Sequence, residues 1–229
     1  MVKAIIFDMD GLVIDSEAGY VTAWRQTAMA MGYQIDDEFA HGLSGANAEH
    51  VKNYLLEKFG DGFDLTRFRH LSTEIWLAHV EQYGIAVKPG FFSLLELIQQ
   101  RQIPFCLATN SQRIQALRCL SFAGLDGVFH HIIARDDVLK GKPAPDLFIK
   151  AADVLAHSVA DCLVLEDSPI GIAAAVAAGV PCFYLPSQAV GDPWASQQAI
   201  RVFEDLGQVA TELMQASDSS LQNSRHDWV

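Results

Sequence analysis

Apolar residues in this chain come in short, bounded runs that alternate with longer stretches of helical spacing. The first run, Val2-Lys3-Ala4-Ile5-Ile6-Phe7, stops abruptly at Asp8-Met9-Asp10-Gly11. A bounded run rich in Ile, Val and Phe reads as a strand buried on both faces. From Ser16 the period changes. Val21, Trp24, Ala28 and Met31 recur at helical intervals until Gly32, and Ser16 or Asp15 can cap the start. Residues 46–59 and 65–83 read as two further helices separated by Gly60-Asp61-Gly62, the second with Phe68, Leu71, Ile75 and Leu77 as its apolar face. About seventy residues without a strand are too many for a crossover loop, so residues 16–87 read as a small inserted helical domain.

Alternation resumes at Lys88-Pro89-Gly90. A helix to Arg101 carries Phe92, Leu95 and Ile98 on one side, and Ile103–Ala108 is the second strand. Thr109-Asn110-Ser111 then opens a helix bearing Ile114, Leu117 and Leu120 that Gly124 ends. A third strand is predicted over 129–134, followed by the rigid turn Lys140–Asp146, with Asp146 capping a helix over 147–156. Asp161–Leu165 is another buried run and ends in Glu166-Asp167-Ser168-Pro169. Pro169 at a helix start and Gly179 at its end show the expected asymmetry of helix termini. Val180–Leu185 is a further strand, 200–202 a short edge strand, and 205–215 the last helix. Strands alternating with helices predict an α/β fold with a doubly wound parallel sheet. The core is expected over 1–15 and 88–216, the helical insert over 16–87, and a fraying polar tail over 217–229.

Composition narrows the partners. The chain of 229 residues is half hydrophobic, enough for a real core, and carries a formal net charge of −12. An acidic surface argues against nucleic acid or an anionic membrane as the main partner. The most apolar window, Gly171 to Tyr184, is broken by Gly179 and Pro181, so it is a helix and a strand rather than a membrane span. None of the four cysteines forms a CxxC pair; Cys106, Cys162 and Cys182 lie in apolar runs and read as small buried hydrophobes. With no basic leader before the first strand, the expectation is a cytoplasmic protein, a monomer or weak dimer, acting on a small molecule.

The chemistry sits where apolar runs end, which in an open parallel sheet is where ligands bind. Asp8 and Asp10 close the first strand, Thr109, Asn110 and Ser111 the second, and Glu166 and Asp167 a later one; Lys142 stands in a turn stiffened by Pro143 and Pro145. Two acids as close as Asp8 and Asp10 repel one another, and their environment can separate their roles: one an ionised nucleophile or ligand, the other a proton donor. Singly, each piece has an ordinary reading as a turn, a helix cap or a solvated lysine. Jointly, they suit phosphate chemistry. Clustered carboxylates favour a hard cation such as Mg²⁺. Thr109 and the amides of Asn110 and Ser111 can donate to phosphate oxygens, and Lys142 supplies a point charge.

Asp8-Met9-Asp10-Gly11, Thr109, Lys142-Pro143 and Glu166-Asp167 resemble the four motifs of the haloacid dehalogenase-like hydrolase superfamily, and the insert after the first motif looks like its helical cap. Phe7–Leu12, Gly141–Asp146 and Leu165–Gly171 resemble its beta-phosphoglucomutase-like, sugar phosphatase branch. That resemblance implies an aspartyl-phosphate at Asp8, with Asp10 as general acid and then base. It implies Mg²⁺ held by the Asp8 carboxylate, the Asp10 backbone carbonyl and Asp167, with Glu166 direct or through water. Thr109 and Lys142 would stabilise the transferring group, and the cap would close over the substrate.

Within that branch, the mutases carry a histidine ten residues after the second aspartate, where this chain has Tyr20, and an arginine after the cap-loop serine, where Ser44 is followed by Gly45. Both departures favour a phosphatase for a small phosphorylated metabolite, in particular a sugar phosphate, over a phosphosugar mutase. The stretch from His41 to His50 is a candidate lining of the cap side of the pocket; Ser44 as a helix cap is the alternative. Dehalogenation would not need Asp10 as an acid. Phosphonate cleavage would want a cap lysine, and Lys52 and Lys58 are explained as helix-surface residues. A rival of another class is a phosphoryl-receiver switch, which uses acids, a Thr or Ser and a Lys on a similar sheet but needs no lid. His130-His131 has no metal-like partner nearby in sequence and reads as structural.

Overall fold

The computed structural model describes residues 2–36, 48–60, 62–187 and 191–222. Contacts divide the chain into two compact units, one running to Ile14 and again from Val87, the other Asp15–Ala86.

The first unit is built on a parallel sheet of β1 (Ala4–Phe7), β2 (Phe105–Ala108), β3 (Ile132–Ile133), β4 (Cys162–Glu166), β5 (Cys182–Tyr184) and β6 (Arg201–Val202), in the order β3-β2-β1-β4-β5-β6. All five pairings are parallel, and β1 lies between β2 and β4, with Ile5 opposite both Phe105 and Leu163. Successive side chains alternate faces. Ala4, Ile6, Cys106, Ala108, Cys162, Val164, Cys182 and Tyr184 pack on one face against Leu147, Phe148, Ile172 and Ala175. Those partners belong to α6 (Asp146–Val154) and α7 (Pro169–Ala178). Phe7 and Phe105 point to the other face, where they meet Phe91 and Phe129 in edge-on ring contacts 5.7–6.2 Å apart. Phe91 opens α4 (Phe91–Gln100), which packs against α9 (Leu206–Gln222). The remaining helices of this unit are α5 (Arg113–Phe122) and the short α8 (Pro193–Gln198), the latter not foreseen in the sequence.

In the other unit, α1 (Glu17–Ala30) packs on α3 (Leu65–Tyr83), and α2 (Ala48–Phe59) contributes Leu55 to a core with Ala28, Phe63 and Phe68. Tyr33, Phe59, Phe63 and Phe68 form a chain of ring contacts there.

Several helix faces differ from the expectation. In α3 the buried row is Phe68, Ser72, Trp76 and Val80, one residue every turn, while Leu71, Ile75 and Leu77 are half-buried. Phe92, Ile114 and Leu117 point outward, and Phe91, Leu94, Ala116 and Cys119 fill the core positions instead. Asp146 lies inside the first turn of α6 and accepts from the Lys140 amide at 3.3 Å rather than capping, because Pro145 takes the cap position. The last helix runs to Gln222, so the boundary at 217 fell inside it; residues 223–229 lie outside the described set. All four cysteines are buried and reduced, and burial raises their thiol pKa values, that of Cys119 to about 12. No described helix is long and apolar enough to cross a membrane.

Candidate active site

Because β2, β1 and β4 are neighbours, their carboxyl ends bring Asp8, Thr109 and Glu166 to one edge. The two-residue period of β1 continues past Phe7, so Asp8 follows Ala4 and Ile6 onto the face covered by α6 and α7. There Lys142 Nζ is paired with Asp8 Oδ1 and with Glu166 Oε1, the latter at 2.6 Å. The ammonium also lies 4.9 Å from the centroid of the Phe148 ring. All three charged groups are buried, Glu166 completely.

Each is held from behind. The Asn110 amide grips the backbone of Lys142 at two points: its Oδ1 accepts from the Lys142 N–H at 2.8 Å and its Nδ2 donates to the Lys142 carbonyl at 3.2 Å. Gly141 leaves room for that grip, since a Cβ there would overlap Asn110 Oδ1 and Arg135. Glu166 Oε2 accepts from the Ser168 amide and hydroxyl, both at 2.9 Å. Ser168 in turn caps α7 by accepting from the Gly171 amide. A Cβ on Gly171 would fall on the Glu166 carboxylate, and one on Gly11 would fall on Asp167 Oδ2. These two glycines are the spaces that the two acids occupy.

Asp8, Glu166 and Asp167 each offer a carboxylate oxygen, all within 4.8 Å of one another. Three carboxylates converging beside Lys142 form a set of oxygen donors that could hold one divalent ion. Hard, all-oxygen donors suit Mg²⁺. Burial holds the Asp8 pKa well above its ordinary value; Lys142 opposes the rise, while Glu166 and Asp10 add to it. Burial alone would lower the pKa of Lys142, but attraction to Asp8 and Glu166 outweighs it and raises the value.

The Asp10 side chain is not in that triad. Its Oδ2 accepts from Ser111 Oγ at 2.9 Å and is approached by Thr109 Oγ1 at 3.5 Å, while the Ser111 amide donates to Thr109 Oγ1 at 2.9 Å. Helix α5 starts only at Arg113, after Gln112, so the Asn110 and Ser111 amides precede the helix rather than opening it. The sequence thus marks Asp8, Asp10, Thr109, Asn110, Ser111, Lys142, Glu166 and Asp167, and the fold brings all eight to one sheet edge. What it does not mark is the support: the Asn110 grip on Lys142, the Ser168 bonds to Glu166, and the space at Gly171. A glycine in the first turns of a helix, where it costs stability, is the one local signal of the last.

Outside this edge, Tyr20 is stacked on Trp76, ring centroids 4.7 Å apart and nearly parallel. Lys58 is paired with Asp36 at 2.9 Å and Lys52 is exposed. Ser44, Gly45 and the loop from His41 lie outside the described residues. His130 and His131 are exposed, and the His131 carbonyl serves the sheet by accepting from the Leu107 amide.

A family profile described as haloacid dehalogenase-like hydrolase matches residues 2–179. The chain is 31% identical over 202 residues to a probable pseudouridine-5'-phosphatase of Drosophila melanogaster, covering 84% of this chain and 83% of that protein. It is 30% identical over 186 residues to beta-phosphoglucomutase of Bacillus subtilis, covering 78% and 80%. Among solved structures, a HAD family hydrolase of Deinococcus radiodurans R1, with bound phosphate and sodium, superposes with a TM-score of 0.80 at 28% identity, covering 94% of this chain and 96% of that one.

Proposed function

From the premise that this chain belongs to the haloacid dehalogenase-like hydrolases and is an enzyme of the phosphatase type, we propose that it hydrolyses a small sugar phosphate through an aspartyl-phosphate at Asp8. The observation that carries this reading is the buried pairing of Lys142 with Asp8 and Glu166 beside Asp167. A buried ammonium held by two acids adds little stability over an apolar replacement, so the cluster supports a chemical role.

In the first half-reaction an Asp8 oxygen bonds to phosphorus as the bond from phosphorus to the sugar oxygen breaks, and Asp10 gives its proton to the leaving oxygen. In the second, water attacks phosphorus, Asp10 takes a proton from it, and the bond to Asp8 breaks to release inorganic phosphate. Lys142 and the Thr109 hydroxyl stabilise the charge on the transferring group, with the Asn110 and Ser111 amides beside them. Asp8, Asp167 and the Asp10 carbonyl would hold Mg²⁺, with Glu166 direct or through water. When bound, the ion neutralises phosphoryl charge and fixes the phosphate against Asp8.

The sugar phosphate assignment rests on the named relatives, one tied to a nucleoside 5'-phosphate and one to a phosphorylated glucose. A phosphosugar mutase is the second reading, and the similarity to beta-phosphoglucomutase favours it. Against it stands Tyr20, whose ring is engaged with Trp76 at the position where the mutases keep a histidine. The test is a panel of phosphorylated metabolites with Mg²⁺. Steady release of inorganic phosphate from a sugar phosphate is expected. Isomerisation without release would establish the mutase instead, and a single stoichiometric release would establish a receiver-type switch.

A further inference from the structure

We propose that Ser111 is a positioning residue for Asp10: its hydroxyl holds one carboxyl oxygen and so sets the direction in which the carboxyl faces the leaving group. This rests on the reading of Asp10 as acid and base given above. Ser111 Oγ donates to Asp10 Oδ2 at 2.9 Å, Thr109 Oγ1 approaches the same oxygen at 3.5 Å, and the Ser111 amide closes the ring onto Thr109 Oγ1 at 2.9 Å. A serine hydroxyl has one hydrogen to give. Spent on Oδ2, it ties that oxygen to the turn that carries Ser111. The ring also holds the carboxyl plane, a torsion that is otherwise broad.

The turn that carries Ser111 is itself braced. The Ser111 carbonyl accepts from the Arg135 amide at 3.0 Å. Two residues on, the Arg113 amide donates to Asp136 Oδ1 at 2.9 Å and its guanidinium to the Ile132 carbonyl at 2.7 Å and to Asp137. Ser111 is therefore a braced point against which the Asp10 carboxyl is set. A proton is delivered only within hydrogen-bond reach of its acceptor, so this orientation has a direct effect on rate. As phosphorus transfers from the ester oxygen to Asp8, the Asp10 proton moves to that ester oxygen. The resulting carboxylate, still held at Oδ2, is ready to take a proton from water.

Leaving groups that need no proton are indifferent to this device, and basic ones depend on it. The test is kcat/KM for Ser111→Ala and Ser111→Thr on a series of aryl phosphates running from p-nitrophenyl to phenyl and p-methoxyphenyl phosphate. Ser111→Ala is expected to lose about tenfold more on phenyl than on p-nitrophenyl phosphate, a part of the usual general-acid contribution. Ser111→Thr, which keeps the hydroxyl, should restore the wild-type dependence on the leaving group. Equal proportional losses across the series, or no loss at all, would overturn the inference, because a structural or phosphate-binding role does not discriminate between leaving groups. Failure of the phosphatase reading is separately visible, as a wild-type enzyme that turns over none of these esters.

Discussion

Lys142 is a buried cation whose two partners are also buried, so its removal would strand Asp8 and Glu166 as like charges in a dry site. Breaking such a cluster from one side costs about 3–5 kcal/mol. Lys142→Ala is therefore expected to lose stability of that order in urea denaturation and to lose turnover as well. A variant as stable as wild type would mean that the acids are held without their counter-ion. The acids and the lysine were legible in the sequence because each closes an apolar run or sits in a proline-stiffened turn. The roles of Asn110, Ser168 and Gly171 were not, because they consist of contacts with residues 32, 2 and 5 positions away that only the folded chain brings together.

At the scale of elements, the strands were easier to read than the helix faces. A strand buried on both sides needs only a run of apolar residues, as in β1 and β4. A helix face must be chosen among competing rows. In α5 the buried row is Ala116, Cys119 and Leu120, while Ile114 and Leu117, also at helical spacing, lie outside. The turn feeding α5 depends on Asp137, which accepts from the Ala134 amide at 2.8 Å and from the Arg113 guanidinium. Burial pushes its pKa up, but these bonds and the Arg113 charge outweigh burial and hold the value below the usual carboxylate range. A depressed carboxylate stabilises the fold above its unfolded pKa and loses that contribution as the pH falls through the folded one. Asp137→Asn should thus be less stable than wild type near neutral pH, with the gap in denaturation midpoint closing below about pH 4. A gap that stays constant with pH would show that the charge of Asp137 is idle.

For the whole molecule, the helical insert was visible as a long absence of strands, and the contacts separate Asp15–Ala86 from the rest. The strand order was not readable, since periodicity says that a strand is buried but not which strand lies beside it. That order sets Asp8 between Thr109 and Glu166, and the outcome is three carboxylate oxygens, from Asp8, Glu166 and Asp167, within 4.8 Å of one another. Mg²⁺ is therefore expected to raise the thermal midpoint of the protein by mass action and to be required for turnover. An unchanged midpoint at millimolar Mg²⁺, with activity that survives EDTA, would contradict the reading of Asp8, Glu166 and Asp167 as a cation site. The most direct test of the account is the steady-state rate of Asp8→Asn on a sugar phosphate that the wild-type enzyme hydrolyses, with the fold checked by circular dichroism. A folded variant slowed by on the order of 10⁴ or more is expected for the loss of a nucleophile. Sustained multiple turnover near the wild-type rate would contradict phosphoryl transfer to Asp8.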